Sequence, residues 1–79
     1  MQVRAKLFAT LSREYTQVPS GTPLAVELPA QATIETLLEQ LEVPPDEVKV
    51  AFVNGRSRPL DWTLCEGDEV GIFPPIAGG

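Results

Sequence analysis

One segment near the middle of the chain has the period of an amphipathic helix. Its apolar residues, Ile34, Leu37, Leu38 and Leu41, follow the i, i+3, i+4, i+7 spacing that puts side chains on one helix face. Thr33 is a candidate N-cap, and the Pro44-Pro45 pair is predicted to end the helix. A lone helix with one apolar face must bury that face against something else, which in a chain this short points to a sheet.

Alternating apolar and polar residues predict strands on both sides of this helix. The strand-like segments are 2–8, 24–28, 48–53 and 69–73, and Asn54-Gly55 is a strong hairpin-turn signal. Segment 56–64 is ambiguous, because Pro59 confines any ladder there to an edge or a short piece. The order of elements predicts an α+β fold, with the helix packed on one face of a mixed sheet of four to five strands.

The size and charge of the chain narrow its function. Its 79 residues are enough for one hydrophobic core, so residues 1–79 are interpreted as a single domain. Eleven acidic and six basic residues give a net charge of −5, which disfavours nucleic-acid binding. No apolar run reaches the roughly 20 residues that span a bilayer, and the single cysteine cannot form an internal disulfide. These features indicate a cytoplasmic protein with no membrane partner.

The usual catalytic constellations cannot be assembled from this composition. The chain has no histidine and one cysteine, which excludes Ser-His-Asp and Cys-His arrangements and the common zinc sites. Its glycines do not match the nucleotide-binding loops. The acidic pairs at 46–47 and 68–69 are interpreted as solvated turn residues and Cys65 as a structural cysteine. We therefore expect no metal site, no bound cofactor and no catalytic site within the domain.

The C-terminal segment is the exception, because its end carries a reactive group. The α-carboxylate of Gly79 can attack the α-phosphate of ATP when a partner enzyme supplies the nucleotide and magnesium, and a sulfur nucleophile can displace the resulting adenylate. The terminal glycines have no Cβ to obstruct a narrow channel, and the prolines cannot continue a ladder. The residues expected to thread a partner's active site are Pro74, Pro75, Ile76, Ala77 and Gly78.

Several short motifs resemble the family of small sulfur carriers that includes the small subunit of molybdopterin synthase and the thiamine-pathway sulfur carrier. They are Leu7-Phe8-Ala9, Val53-Asn54-Gly55, Glu66-Gly67-Asp68-Glu69-Val70 and Phe73-Pro74-Pro75-Ile76-Ala77-Gly78-Gly79. The paired prolines before the diglycine are more similar to the molybdopterin-synthase branch. The resemblance implies a ubiquitin-like β-grasp fold with a flexible, exposed tail over residues 73–79.

The resemblance also implies a reaction cycle and its partners. An E1-like adenylating enzyme would activate Gly79 with ATP and magnesium, and a sulfur donor such as a cysteine desulfurase or a rhodanese would convert it to a thiocarboxylate. The large subunit of molybdopterin synthase would then receive the sulfur in a heterotetramer. Phe8 and Phe73 would belong to the apolar patch that grips these partners. Their position in the alternation agrees, since both point away from the predicted core side of their strands.

Three other functions fit the same residues. The carrier could serve thiamine or another thiolated product. It could be a ubiquitin-like modifier that becomes attached to lysines through Gly79. It could also be a non-catalytic protein-binding module whose tail is incidental.

Overall fold

The computed structural model of the chain describes residues 1–75 and contains one mixed sheet of five strands. The strands are β1 (Gln2–Leu7), β2 (Leu24–Glu27), β3 (Val50–Val53), β4 (Arg56–Arg58) and β5 (Glu69–Phe73). Their spatial order is β2-β1-β5-β3-β4, with β1 parallel to β5 and the other neighbours antiparallel. The chain also forms one α-helix, α1 (Ile34–Leu41), a π-helical turn at Ser12–Thr16 and a 3₁₀ turn at Pro45–Glu47. The predicted α+β arrangement is confirmed.

The hydrophobic core lies between α1 and one face of the sheet. Alternate strand residues point into it, and the helix contributes its apolar stripe. Its central members are Val3, Ala5, Leu7, Ile34, Leu37, Leu38, Ala51, Val53, Val70 and Ile72, each at most 5% exposed. All are aliphatic, and on this face of the sheet they pack closely against the helix.

The start of α1 is fixed by its cap and by a neighbouring loop. The Thr36 N–H donates to Thr33 Oγ1 at 3.3 Å, and the Thr33 N–H donates back to Thr36 Oγ1 at 3.1 Å. The Ile34 N–H donates to the carbonyl of Trp62 at 3.1 Å. The loop after β4 is therefore held against the first turn of the helix, which satisfies backbone donors that the helix itself cannot pair.

The end of α1 differs from the prediction. Glu42, not the proline pair, terminates the helix by adopting a left-handed conformation with φ 61°. Its N–H donates to Glu39 O at 3.1 Å, and the Val43 N–H donates to Leu38 O at 2.9 Å. This is the paired bonding of a Schellman cap, which satisfies the last carbonyls before Pro44-Pro45 is reached. The prolines instead lead into the 3₁₀ turn at Pro45–Glu47.

The ambiguous segment after the hairpin contains the edge strand. Asn54 and Gly55 both have positive φ, 52° and 86°, as a two-residue turn between β3 and β4 requires. Asn54 also fastens this turn to the start of β5, because its Oδ1 accepts from the Glu69 N–H at 3.0 Å. Pro59 follows β4 directly and stops the strand after three residues.

Candidate functional site

The C-terminal tail leaves the sheet beside the end of β1. Because β1 and β5 are parallel, the carboxyl ends of both strands lie at the same end of the sheet. The Phe8 N–H donates to Ile72 O at 3.1 Å, and the Lys49 N–H donates to Phe73 O at 2.8 Å, so β5 is bonded on both sides to its end. Pro74 is half-buried and Pro75 is exposed. Neither can donate a ladder bond, which ends the sheet at this point.

Four of the predicted tail residues lie outside the described part of the chain. They are Ile76, Ala77, Gly78 and Gly79, and the roles that the sequence predicts for them remain predictions.

Phe8 and Phe73 meet at this exit, on the face of the sheet opposite α1. Their rings are stacked, with centroids 4.2 Å apart and planes 4° from parallel. Phe52 from β3 joins them, with its ring 5.6 Å from that of Phe73 and nearly perpendicular to it. All three side chains are half-buried. We call Phe8, Phe52 and Phe73 the aromatic cluster, and the side of the sheet that carries it the helix-free face.

The sequence prediction of this patch missed Phe52. The signal was available, since Phe52 alternates with the buried Ala51 and Val53 on β3 and therefore points to the opposite face. Alternation alone does not say which strands are neighbours. The strand order puts β3 next to β5, and that adjacency brings Phe52 to Phe73.

Two glycines give the Phe8 ring its place. A Cβ on Gly71 would lie 3.4 Å from the Phe8 ring and 3.5 Å from the Phe73 ring. A Cβ on Gly21, whose φ is +80°, would lie 3.1 Å from the Phe8 ring. At Gly21 a side chain would therefore crowd the Phe8 ring, whereas at Gly71 a methyl group would only reach ordinary van der Waals contact with the two rings.

Charged side chains border the aromatic cluster. Glu69 lies between two cations, 3.5 Å from Arg4 Nη1 and 3.4 Å from Lys6 Nζ. These side chains are between 33% and 65% exposed, so each pair contributes at most about 1 kcal/mol. An apolar centre with a solvated polar rim is the usual anatomy of a protein–protein interface.

A side-chain hydrogen bond connects two turns at the end of the sheet from which the tail leaves. The Tyr15 hydroxyl, on the π-helical turn, donates to Glu47 Oε2 on the 3₁₀ turn at 2.7 Å. This bond, with desolvation and the negative charges of Glu47, Glu14 and Asp46, raises the pKa of Tyr15 to about 12. The phenol is therefore firmly protonated at neutral pH and holds two turns together next to the sheet.

Within residues 1–75, no group of three or more histidine, cysteine or acidic side chains is arranged to hold a metal ion. None of the helices in that range is long and apolar enough to cross a membrane. Cys65 is exposed, and its backbone N–H donates to Asp68 Oδ2 at 2.8 Å, so the cysteine predicted as structural does not belong to the core.

In a ubiquitin-like β-grasp domain, one helix packs against a face of a mixed sheet, and the last strand continues into a C-terminal tail. Here the last strand ends beside the aromatic cluster. The chain belongs to the ThiS family, a family of ubiquitin-like sulfur carriers, whose family model matches residues 6–79. The match runs from near the end of β1 to the terminal diglycine.

Solved structures show the same fold. Candidate molybdopterin converting factor subunit 1 from Pyrococcus furiosus is 30% identical, with a TM-score of 0.71 and coverage of 96% of this chain and 99% of that one. Small archaeal modifier protein 1 from Haloferax volcanii is 22% identical, with a TM-score of 0.74 and coverage of 95% and 98%.

A third similar structure is a complex. It contains subunits 1 and 2 of molybdopterin-converting factor from Helicobacter pylori, and the matched chain is 18% identical, with a TM-score of 0.61 and full coverage of both chains. Among curated protein sequences, none matches the chain significantly.

Proposed function

We propose that the chain carries sulfur as a thiocarboxylate on Gly79 and donates it in molybdopterin biosynthesis, as the small subunit of molybdopterin synthase. The observation that carries this proposal is the family match, which runs through the diglycine at the very end of the chain. The 30% identity to the molybdopterin converting factor subunit 1 candidate supports this pathway over the thiamine pathway. The Phe-Pro-Pro start of the tail supports the same choice.

The chemistry requires two partner enzymes. An E1-like adenylating enzyme binds ATP and magnesium, and the Gly79 carboxylate attacks the α-phosphate to form an acyl-adenylate with release of pyrophosphate. The terminal sulfur of a persulfide, supplied by a cysteine desulfurase or a rhodanese, then attacks the acyl carbon and displaces AMP to form an acyl disulfide. A thiol reduces the S–S bond of this intermediate, which releases the thiocarboxylate and leaves the thiol oxidised in a disulfide. The domain contributes no acid or base to these steps. It presents its terminus as a substrate.

The contribution of the domain is placement of that terminus. From Pro74 to Gly79 the tail has six residues, which span at most about 20 Å when fully extended. The ladder bonds on both sides of Phe73 fix the point from which this reach is measured. A partner that grips the adjacent aromatic cluster would therefore receive the end of the chain at a defined distance, which reduces the entropy lost on entering its active site.

We propose the large subunit of molybdopterin synthase as the partner that docks on the helix-free face. The subunit 1 and 2 complex from Helicobacter pylori supports this kind of pairing, with a heterotetramer as the expected assembly. The stacked rings of Phe8 and Phe73 supply apolar anchors, and Arg4, Lys6 and Glu69 supply a polar rim. Aromatic anchors inside a polar rim carry most of the affinity in interfaces of this type.

Intact mass spectrometry of the protein from its native host tests the proposed chemistry. Exchange of the terminal oxygen for sulfur adds about 16 Da. Reconstitution with the adenylating enzyme, ATP, magnesium and a sulfur donor should produce the same species, and a variant lacking Gly79 should fold normally but remain uncharged. A wild-type chain that stays at its unmodified mass under both conditions would contradict the proposal.

Attachment to lysines is a second candidate function. It is favoured by the likeness in fold to small archaeal modifier protein 1. Digestion of the host proteome with a protease that cleaves after alanine, such as elastase, would then reveal glycine-glycine remnants on lysines of other proteins, because Ala77 precedes the diglycine. These remnants should disappear when Gly79 is deleted. If these remnants occur and no thiocarboxylate does, the chain is a modifier and not a sulfur donor.

A further inference from the structure

The outer edge of β4 is open along the described part of the chain. β4 is the last strand in the sheet order and pairs only with β3. In its register Val53 faces Arg56 across the two-residue turn, and Phe52 faces Ser57. Because bonded and non-bonded pairs alternate in an antiparallel ladder, the Ser57 N–H and C=O point away from β3. One donor and one acceptor are thus presented to an additional strand.

Two arginines flank this position on one side of the strand. Arg56 and Arg58 lie two residues apart and pair with the core-facing Val53 and Ala51, so their side chains lie on the helix side of the sheet. Within residues 1–75, neither arginine takes part in an ion pair. The nearby Asp68 carboxylate is occupied by the Asn54 amide at 2.9 Å and by a backbone N–H at 2.8 Å. The positive charge of the edge is therefore available to a partner.

Trp62 adds an apolar anchor beside these charges. It is 38% exposed and is the one large hydrophobic side chain that is exposed among the described residues. The Arg58 guanidinium lies 4.0 Å above the centre of its ring. This contact holds the arginine by its face and leaves its in-plane N–H groups free to bind a carboxylate. A cleft of about 300 Å³ between Trp62, Arg56 and Val53 completes the surface.

We propose that this edge binds an extended acidic segment of a partner protein, which adds to the sheet as a sixth strand next to β4. Ser57 would form the two backbone bonds. Acidic side chains two residues apart on the partner would meet Arg56 and Arg58, because both strands have the same repeat of about 6.7 Å over two residues. An apolar side chain of the segment would cover Trp62.

Charge complementarity decides between the possible occupants. A second copy of β4 would bring the arginines of both copies together, so self-pairing is disfavoured. A single-stranded RNA could stack on Trp62, but it has no extended peptide backbone to pair with both the N–H and the C=O of Ser57. An acidic protein segment satisfies the edge, the arginines and the tryptophan together. It would lie at the edge of the sheet beside β4, with its acidic side chains on the helix side, so this interaction does not rest on the proposed sulfur chemistry.

The test is a titration of the full chain with an acetylated peptide of the pattern Glu-Thr-Glu-Thr-Leu, followed by two-dimensional NMR. In an added strand this pattern puts both glutamates and the leucine on the helix side of the sheet, where Arg56, Arg58 and Trp62 lie. We expect shifts at residues 56–58 and 62, slower exchange of the Ser57 amide, and a saturable change in the fluorescence of Trp62, the only tryptophan. Affinity should fall as salt is added. Arg58→Gln should weaken binding about tenfold, whereas Arg13→Gln, which removes the same charge from an exposed position on the π-helical turn, should not.

Four results would overturn the proposal. The first is absence of saturation at millimolar peptide, and the second is equal weakening by Arg13→Gln and Arg58→Gln, which would mean general charge attraction. The third is shifts on the helix-free face with an unchanged Ser57 amide. The fourth is displacement of the peptide by an oligouridine at lower concentration, which would make the surface a nucleic-acid site. A peptide with glutamine in place of glutamate is the control and should not bind.

Discussion

The two faces of the sheet carry different kinds of apolar residue on the same strands. On β5, Val70 and Ile72 are fully buried under α1, while Gly71 and Phe73 on the other face are half-buried. On β3, Ala51 contrasts with its neighbour Phe52 in the same way. The covered face is thus aliphatic and closed. The helix-free face is aromatic, bordered by charges and partly open to water.

This difference separates stability from recognition. Aliphatic side chains on the covered face interdigitate with the helix, and their burial supplies most of the favourable free energy of folding. The rings of Phe8 and Phe73 can hide only one side against each other, so apolar area remains for a partner. If the faces do have separate tasks, substitutions on one should change the free energy of unfolding and substitutions on the other should change binding.

The largest effect on stability is expected from Leu37→Ala. Leu37 is completely buried at the centre of the helix face, and truncation there removes apolar contacts and leaves a cavity. The free energy of unfolding should fall by about 2–5 kcal/mol, as measured by urea denaturation. Glu39→Ala, on the exposed side of the same helix, is the matched control and should change it by less than about 0.5 kcal/mol. Similar losses in both variants would contradict the proposed role of the covered face.

Phe73→Ala should produce the reverse pattern. Loss of the ring that Phe8 and Phe52 both contact should weaken binding to the large subunit by more than tenfold, because buried aromatic anchors dominate such interfaces. The free energy of unfolding should fall by only about 1 kcal/mol, since the ring is half-exposed. Calorimetric titration measures the first effect and denaturation the second.

The control for this prediction is Gln2→Ala, an exposed position on the same face of β1 but away from the cluster. It should leave both quantities unchanged. A Phe73→Ala variant that binds normally and unfolds easily would mean that the rings serve the core and not a partner.

The sequence predicts this division only in part, for physical reasons. Strand alternation identifies Phe8 and Phe73 as outward-facing, because the period of two fixes the side of each residue. It does not encode which strands are neighbours, so the contact with Phe52 and the parallel pairing of β1 and β5 follow from tertiary structure. The β-grasp topology was predicted from family resemblance and not from period.

The sequence also does not predict where α1 ends or how far β4 extends. α1 ends at Glu42, which adopts a left-handed conformation. Glycine or asparagine usually occupies such a position, so a glutamate there gives no sequence signal for the end of the helix. β4 is three residues long, which is too short to establish alternation. The predictions for Ile76 to Gly79 rest on chemistry and resemblance alone, since those residues lie outside the described range.

A smaller effect on stability, confined to alkaline pH, is expected from the hydrogen bond between Tyr15 and Glu47. The Tyr15 phenol, whose pKa is raised from 10.0 to about 12, donates to Glu47. The folded chain holds this proton more tightly than the unfolded one, so the contribution to stability is complete below pH 10.0 and is lost as pH rises through about 12. Glu47→Gln should lower the pKa of Tyr15 towards 10.0, as measured by tyrosinate absorbance of the single tyrosine.

The matched control for this titration is Glu14→Gln. Glu14 affects Tyr15 only through its charge, so this substitution should lower the pKa of Tyr15 less than Glu47→Gln does. Neither variant should alter docking on the helix-free face at neutral pH. A wild-type Tyr15 that titrates near 10.0 would show that the bond to Glu47 does not form in solution.

The smallest expected effect gives the sharpest contrast between the faces, because adding side-chain volume should have opposite signs on them. In Gly71→Ala the new methyl group would lie 3.4 Å from the Phe8 ring and 3.5 Å from the Phe73 ring, in ordinary van der Waals contact. The free energy of unfolding should rise by about 0.5–1 kcal/mol, since alanine loses less conformational entropy than glycine in a strand. Ala51→Val, on the closed face, should lower it by overpacking. If Gly71→Ala is instead destabilising, the two rings do not tolerate the added methyl group, and the helix-free face is packed as rigidly as the core.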